Sequence, residues 1–254
     1  MSNNIPFIHN YCDRWCERCY FTSRCAVYEE IKDENEEEKD LNNQAFWDKL
    51  SRNFEKAMEM LQQGAMEHGI DLNSISKEDE EEIEKHEEEI DRLVEEHPLR
   101  KLCEQYSMLA HKTMKDEAYW KGKADEMSQQ FMLGIFNEDQ LTGQVRGLKD
   151  CQEVINWYMD FIWIKFTRAL SGKMEDYEDG EQIQSDSNGS AKIALVAVDR
   201  SMHAWRQLLD LIPDEDRLIP LLSILSGIDK MARQEFPKAG EFVRPGFDER
   251  SEIS

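Results

Sequence analysis

Residues 154–166 read Val-Ile-Asn-Trp-Tyr-Met-Asp-Phe-Ile-Trp-Ile-Lys-Phe, and this run decides the fold. Its apolar residues fall almost all round a helical wheel instead of on every second position, so it predicts a helix enclosed by other helices. A strand reading needs period-two alternation of β-branched residues, and the chain has no such runs. With only 12 Gly and 6 Pro in 254 residues, long uninterrupted helices are allowed throughout. The fold class is therefore all-α, an antiparallel helical bundle.

Working outward, the central helix covers about 148–171. Upstream, Trp47, Leu50, Phe54, Met58 and Leu61 recur at helical spacing and predict a helix over 41–68. The segment 78–96 has high helix propensity but few apolar residues (Ile83, Ile90, Leu93 and Val94), which predicts a surface helix. After Pro98, a helix over 99–131 is expected, with Leu102, Tyr106, Leu109, Thr113 and Trp120 on one side. Downstream, residues 172–188 read as an acidic loop, and Ser187 or Ser190 as the cap of a helix over 191–212. A last helix runs over about 216–235. The bundle is expected to be built from the helices starting at Leu41, Leu99, Leu148 and Ala191, with the others packed outside. The domain plan is a cysteine-rich metal-binding head over 1–28, an acidic linker over 29–40, the bundle over 41–236 and a tail over 237–254.

The net charge is −23, and it is concentrated. Residues 28–40 carry −6, residues 77–97 carry −9 and residues 175–186 carry −6. The remainder is close to neutral, so the acidity solvates linkers and one surface helix. Such charge opposes nucleic-acid phosphates and anionic membranes, and neither is expected as a partner. No apolar stretch is long enough to span a bilayer and no secretion signal is evident, which points to a soluble cytoplasmic protein.

The chemistry lies near the N-terminus. Cys12, Cys16, Cys19 and Cys25 follow the spacing C-x3-C-x2-C-x5-C, and only Cys103 and Cys151 occur elsewhere. Four thiols this close in sequence suit a tetrahedral metal ion or a cubic iron–sulfur cluster. In a reducing compartment they read as metal ligands before disulfides. Four thiolates leave a net charge of about −2 on either Zn²⁺ or an oxidised [4Fe–4S] core. Arg14, Arg18 and Arg24 are placed to offset it, and Tyr11, Trp15, Tyr20 and Phe21 to exclude water.

Cys12, Cys16 and Cys19 match the radical-SAM spacing, but that family sets its motif in a barrel of alternating strands and helices, and strands are missing here. Cys16, Cys19 and Cys25, with Tyr20 and Phe21 after the middle cysteine, resemble the C-x2-C-x5-C iron–sulfur staples of auxiliary-cluster (SPASM) domains. They are also similar to the clusters of CRISPR-adaptation and recombination-repair nucleases. The resemblance covers only 16–25 and implies a [4Fe–4S] cluster, with Cys12 as the fourth ligand. The expected function is a non-catalytic metal-binding protein used in redox sensing or electron transfer, with an unidentified redox or protein partner. Structural zinc in a protein-interaction module is the alternative.

A second alternative is an enzyme with a polar site in the bundle. Asp160 interrupts the apolar run and shares a face with Glu153, while Asp199 and His203 are i, i+4 neighbours in the next helix. Ferritin-like di-iron bundles use Glu-x-x-His on two helices, and no such tetrapeptide occurs here. Ion pairing of these carboxylates with Lys165, Arg168, Arg200 or Arg206 is the simpler expectation. Cys103 and Cys151 read as core residues, and the apolar tail 242–247 as a segment that packs on the body or on a partner.

Overall fold

The computed structural model describes residues 3–32, 36–70, 76–175 and 182–248, and among these it contains helices and short 3-10 turns but no strand. The α-helices are α1 (Ala26–Ile31), α2 (Glu36–Lys39), α3 (Gln44–His68), α4 (Lys77–Glu96), α5 (Pro98–Met114), α6 (Glu117–Met132), α7 (Glu138–Glu175), α8 (Asp186–Leu211) and α9 (Glu215–Glu235). No helix is long and apolar enough among the described residues to cross a membrane. The chain divides into two compact units. Unit 1 comprises Met1–His9 and Arg14–Glu89; unit 2 comprises Asn10–Asp13 and Ile90–Ser254.

Unit 2 contains an antiparallel four-helix bundle of α5, α7, α8 and α9. The directions follow from paired residues. Along α7 and α8, an added Cβ on Gly147 would meet Leu211, and one on Gly172 would meet Ser187, so one helix runs up as the other runs down. Between α5 and α9 the same holds, because His97 faces Glu235 while Asp116 pairs with Arg217 at 2.8 Å. The core is apolar and dense: Leu99, Tyr106, Ile155, Ile162, Phe166, Leu170, Trp205, Leu208, Leu221 and Leu225 are all fully enclosed. Tyr106 brings a polar group into it. Its hydroxyl accepts from Trp205 Nε1 at 3.0 Å, and burial pushes its phenol up to about 12, so it remains a neutral hydrogen-bonding group.

The fourth helix of the bundle is α9, where the helix starting at Leu41 was expected. In α9, Leu218, Leu221, Leu225, Ile228 and Ala232 recur at three- and four-residue steps and are all buried. In α3, which belongs to unit 1, Trp47, Phe54, Met58 and Leu61 are exposed. The expected single helix over 99–131 is two helices. Asp116 stops α5 and starts α6 by accepting from Tyr119 N at 3.0 Å, and Trp120 Nε1 closes the break on Thr113 O at 3.0 Å. The helix expected from Leu148 begins ten residues earlier. Asn137 and Gln140 exchange side-chain-to-backbone bonds of 2.8 and 3.0 Å there, a reciprocal cap. The cap of α8 is Ser185, bonded by Asn188 N at 3.1 Å, instead of Ser187 or Ser190, which are buried. Parts of the expected linker (33–35), acidic loop (176–181) and tail (249–254) lie outside the described residues.

In unit 1, α3 starts on Asn43, whose side chain accepts from Ala45 N, and ends on Gly69 in the left-handed conformation at φ 67°. The expected apolar line of α4 is half covered: Ile90 and Val94, which belong to unit 2, are buried, while Ile83 of unit 1 and Leu93 of unit 2 are exposed.

These assignments separate two kinds of position. Leu225→Ala should lower the unfolding free energy by about 2–5 kcal/mol, because it opens a cavity in an enclosed core. Ile164→Ala, on the exposed side of α7, should change it by no more than about 0.5 kcal/mol. Urea unfolding followed by circular dichroism reads both.

Candidate functional site

The cysteine run is built from tight turns. Cys16–Arg18 and Thr22–Arg24 are single 3-10 turns, and Cys25 precedes α1. Within unit 1, Cys19 N bonds to Cys16 O at 3.1 Å, which folds the C-x2-C segment back on itself. Phe21 N then points at the Cys19 sulfur at 3.4 Å. Amide donors to sulfur offset negative charge on metal-bound cysteines. Arg18 stacks on the Trp15 ring at 4.1 Å, and Arg24 Nε donates to Asn3 O at 3.3 Å. Two of the three cations expected to balance a centre, Arg18 and Arg24, therefore also hold the turn together. Tyr20, expected to shield the site, is 96% exposed and does not.

All six cysteines are thiols, none in a disulfide. The four of the run are half-buried, whereas Cys103 and Cys151 are buried, as core residues should be. Burial pushes the Cys103 thiol up strongly and the Cys151 thiol to about 11, so neither offers a thiolate at neutral pH. The donor chemistry of Cys12, Cys16, Cys19 and Cys25 fits zinc or an iron–sulfur cluster. Among the described residues, however, no three His, Cys, Asp or Glu side chains are already gathered as a metal site.

Cys12 belongs to unit 2, and its neighbours are clamped to the bundle. Asp13 is the centre of the clamp. Tyr158 of α7 donates its hydroxyl to Asp13 Oδ2 at 2.6 Å, and the Arg200 guanidinium of α8 bonds both Asp13 and the Tyr158 oxygen. Burial, reinforced by the adjacent carboxylate, pushes the Tyr158 phenol up, so it stays a donor. Trp157 Nε1 donates to Asp13 O at 2.9 Å, and the buried Lys165 reaches Asn10 O at 3.4 Å. On the other side of Cys12, Tyr11 donates to Asp186 at 3.1 Å and packs edge-on to Phe242 at 4.7 Å. Arg168 holds the same Asp186 through two bonds of 2.8 and 3.0 Å. Gly189 makes the seat for this aromatic pair. A Cβ there would stand 2.7 Å from the Phe242 ring and closer still to Tyr11, so only glycine fits. The chain leaves the clamp at Arg14 in the left-handed region at φ 55°, a conformation that costs a non-glycine residue about 1 kcal/mol.

Sequence reasoning missed most of this clamp. Arg200 was expected to pair with a carboxylate of the bundle; it pairs with one from the N-terminal segment. The tail was expected to pack, and Phe242 is 4% exposed. Gly189, outside the helix expected over 191–212, lies inside α8 among small residues.

The second candidate, in the bundle, is dispersed. Asp160 is half-exposed, not enclosed. It accepts from Ser107 at 2.6 Å and lies 2.9 Å from His111 Nε2, both on α5. Glu153, Asp199 and His203 are exposed, and Asp199 lies in the field of Arg233. Asp160, Asp199 and His203 are not brought together, and Glu153 borders a separate shallow groove with Arg146 and Lys149. Asp160 with His111 is a helix-to-helix link whose partner sits about fifty residues away in sequence, beyond the reach of spacing arguments.

No family model, curated protein or solved structure matches the chain.

The clamp is tested by substitutions that leave every cysteine in place. Gly189→Ala displaces Tyr11, and Tyr158→Phe removes the donor to Asp13. Each should raise amide exchange of residues 10–13 by roughly tenfold, about 1.4 kcal/mol of lost docking. The enclosed middle of α7 and α8 should keep its protection. Hydrogen exchange read by mass spectrometry reports both regions.

Proposed function

We propose that Cys12, Cys16, Cys19 and Cys25 bind one metal centre, a [4Fe–4S] cluster in preference to zinc, and that the protein is a non-catalytic metal-binding protein. The observation that carries the reading is the Phe21 amide directed at the Cys19 sulfur from a C-x2-C turn. A thiol buried for packing has no need of such a donor, as Cys103 illustrates with its strongly raised thiol. A thiolate carrying part of a metal centre's negative charge does. Half-burial of all four thiols keeps them reachable for a metal and partly shielded from water.

Four thiolate ligands complete the shell of either centre and leave no position open for a substrate, so electron transfer or redox sensing follows more naturally than turnover. When bound, an iron–sulfur cluster would supply one-electron chemistry. The chain's own part would be to hold the ligands and to set how much water and positive charge surround them. The enzyme alternative has less support, because Asp160, Asp199 and His203 do not converge.

Metal analysis of anaerobically purified protein, with a visible spectrum, tests the proposal. The expected result is about four iron atoms per chain and absorption near about 400 nm, both lost in Cys16→Ser and Cys19→Ser. Colourless protein with about one zinc would retain the ligands and replace the cluster by a structural ion. A metal-free chain with native helicity would overturn the proposal.

A further inference from the structure

α3 carries an apolar stripe that the described residues of its own unit leave largely uncovered. Trp47, Leu50, Phe54, Met58 and Leu61 fall at three- and four-residue steps, the spacing of a helix that pairs with another helix. Every residue from 51 to 63 is exposed; Phe54 is 64% exposed and Leu61 53%. A helix of this length is about 37 Å long, and a contiguous apolar stripe along it is the usual mark of a contact surface. Isolated helices draw little stability from propensity alone, so this one needs a partner for its face.

The geometry points to a second copy of the chain as that partner, with the two α3 helices packed antiparallel through this stripe. Size is the first reason. The N-terminal half of the stripe is bulky, with Trp47 and Phe54, and the C-terminal half is small, with Ala57 and Gly64. Antiparallel pairing sets Trp47 of one helix over Gly64 of the other, where a Cβ would meet nothing within 4 Å. Parallel pairing would set Trp47 against Trp47 and leave glycine opposite glycine. Charge is the second reason. Residues 44–56 carry Asp48, Lys49, Arg52, Glu55 and Lys56, a net of +1, and residues 57–68 carry Glu59 and Glu67, a net of −2. Antiparallel helices place these unlike halves side by side and also align their dipoles favourably. The strongly acidic segments of the chain lie outside α3, and Ser51 and Asn53 border the stripe without charge. The acidic α2 packs on α3, and Lys56 lies 3.9 Å from Glu30, so part of the helix's positive charge is met within its own unit. An anionic membrane would be opposed by the net charge of −23.

The test is the mass of the full-length protein at about 100 µM, by light scattering and sedimentation equilibrium. The wild type is expected to be a dimer. Phe54→Glu and Leu61→Glu, both at exposed positions, are expected to give the 29.9 kDa single chain with unchanged helicity. Gly64→Leu should also break the dimer by meeting Trp47, and Trp47→Ala in the same chain should restore it, which a parallel pair would not do. A monomeric wild type overturns the inference, and so does a dimer that survives Phe54→Glu. Binding of a monomeric wild type to phosphatidylcholine vesicles would assign the stripe to a lipid surface and overturn it as well. Failure of the double variant to recover would overturn the antiparallel arrangement.

Discussion

The close approach of α7 and α8 is the contact on which unit 2 depends. α8 reaches it by giving up side-chain bulk: Gly189, Ser190, Ala191, Ala194, Ala197, Ser201 and Ala204 are all buried. α7 brings large residues to the same core, Tyr158, Ile162, Phe166 and Leu170, all buried. Small-against-large packing lets the backbones come near and keeps the interior filled, which is where most of the stability of such a bundle arises. It also has a chemical consequence. Side chains one turn outside this seam, Trp157, Arg168 and Arg200, are presented on a rigid surface at fixed separations.

That surface is where residues 10–13 are seated. The clamp uses complementary devices on the two sides of Cys12: a charged and phenolic network at Asp13, and an aromatic pair over a glycine at Tyr11. Two unlike interactions on either side of one thiol restrict both its position and its orientation more than either would alone. A flexible cysteine binds metal with a large loss of chain entropy. One already held in place loses less on binding, so ordering that folding has supplied becomes affinity. The clamp thus gives the proposed centre a reason to carry an otherwise costly arrangement, including the left-handed Arg14.

Periodicity made the all-α class legible, because helical spacing is a property of neighbours in sequence; it overstated the enclosure of α7, where Trp157 and Ile164 are exposed. It failed where the outcome depended on distant partners. Asp160 looked enclosed on its own helix, yet its exposure is settled by α5, which meets it with Ser107 and His111 and leaves one side open. The break at Asp116 hid inside a continuous helical pattern, because a capping aspartate differs from a surface one only by the amide it accepts. The clamp was the hardest case. Asp13 and Arg200 are charges of ordinary kind, and nothing local marks two residues nearly two hundred positions apart as a pair. Gly189 was readable only in hindsight of what occupies the space its missing side chain leaves.

The contrast between α3 and α9 shows what an apolar stripe does and does not specify. Both helices repeat apolar residues at three- and four-residue steps, and both are long enough to pack. In α9 the stripe is made of Leu218, Leu221, Leu225 and Ile228, branched residues of similar size that interlock with neighbours of the same kind. In α3 the stripe tapers from two bulky aromatics to alanine and glycine, and residues 51–63 are exposed. A tapered stripe is best matched by its own reverse. The taper that sets α3 apart from α9 is the feature on which the proposed antiparallel self-pairing rests.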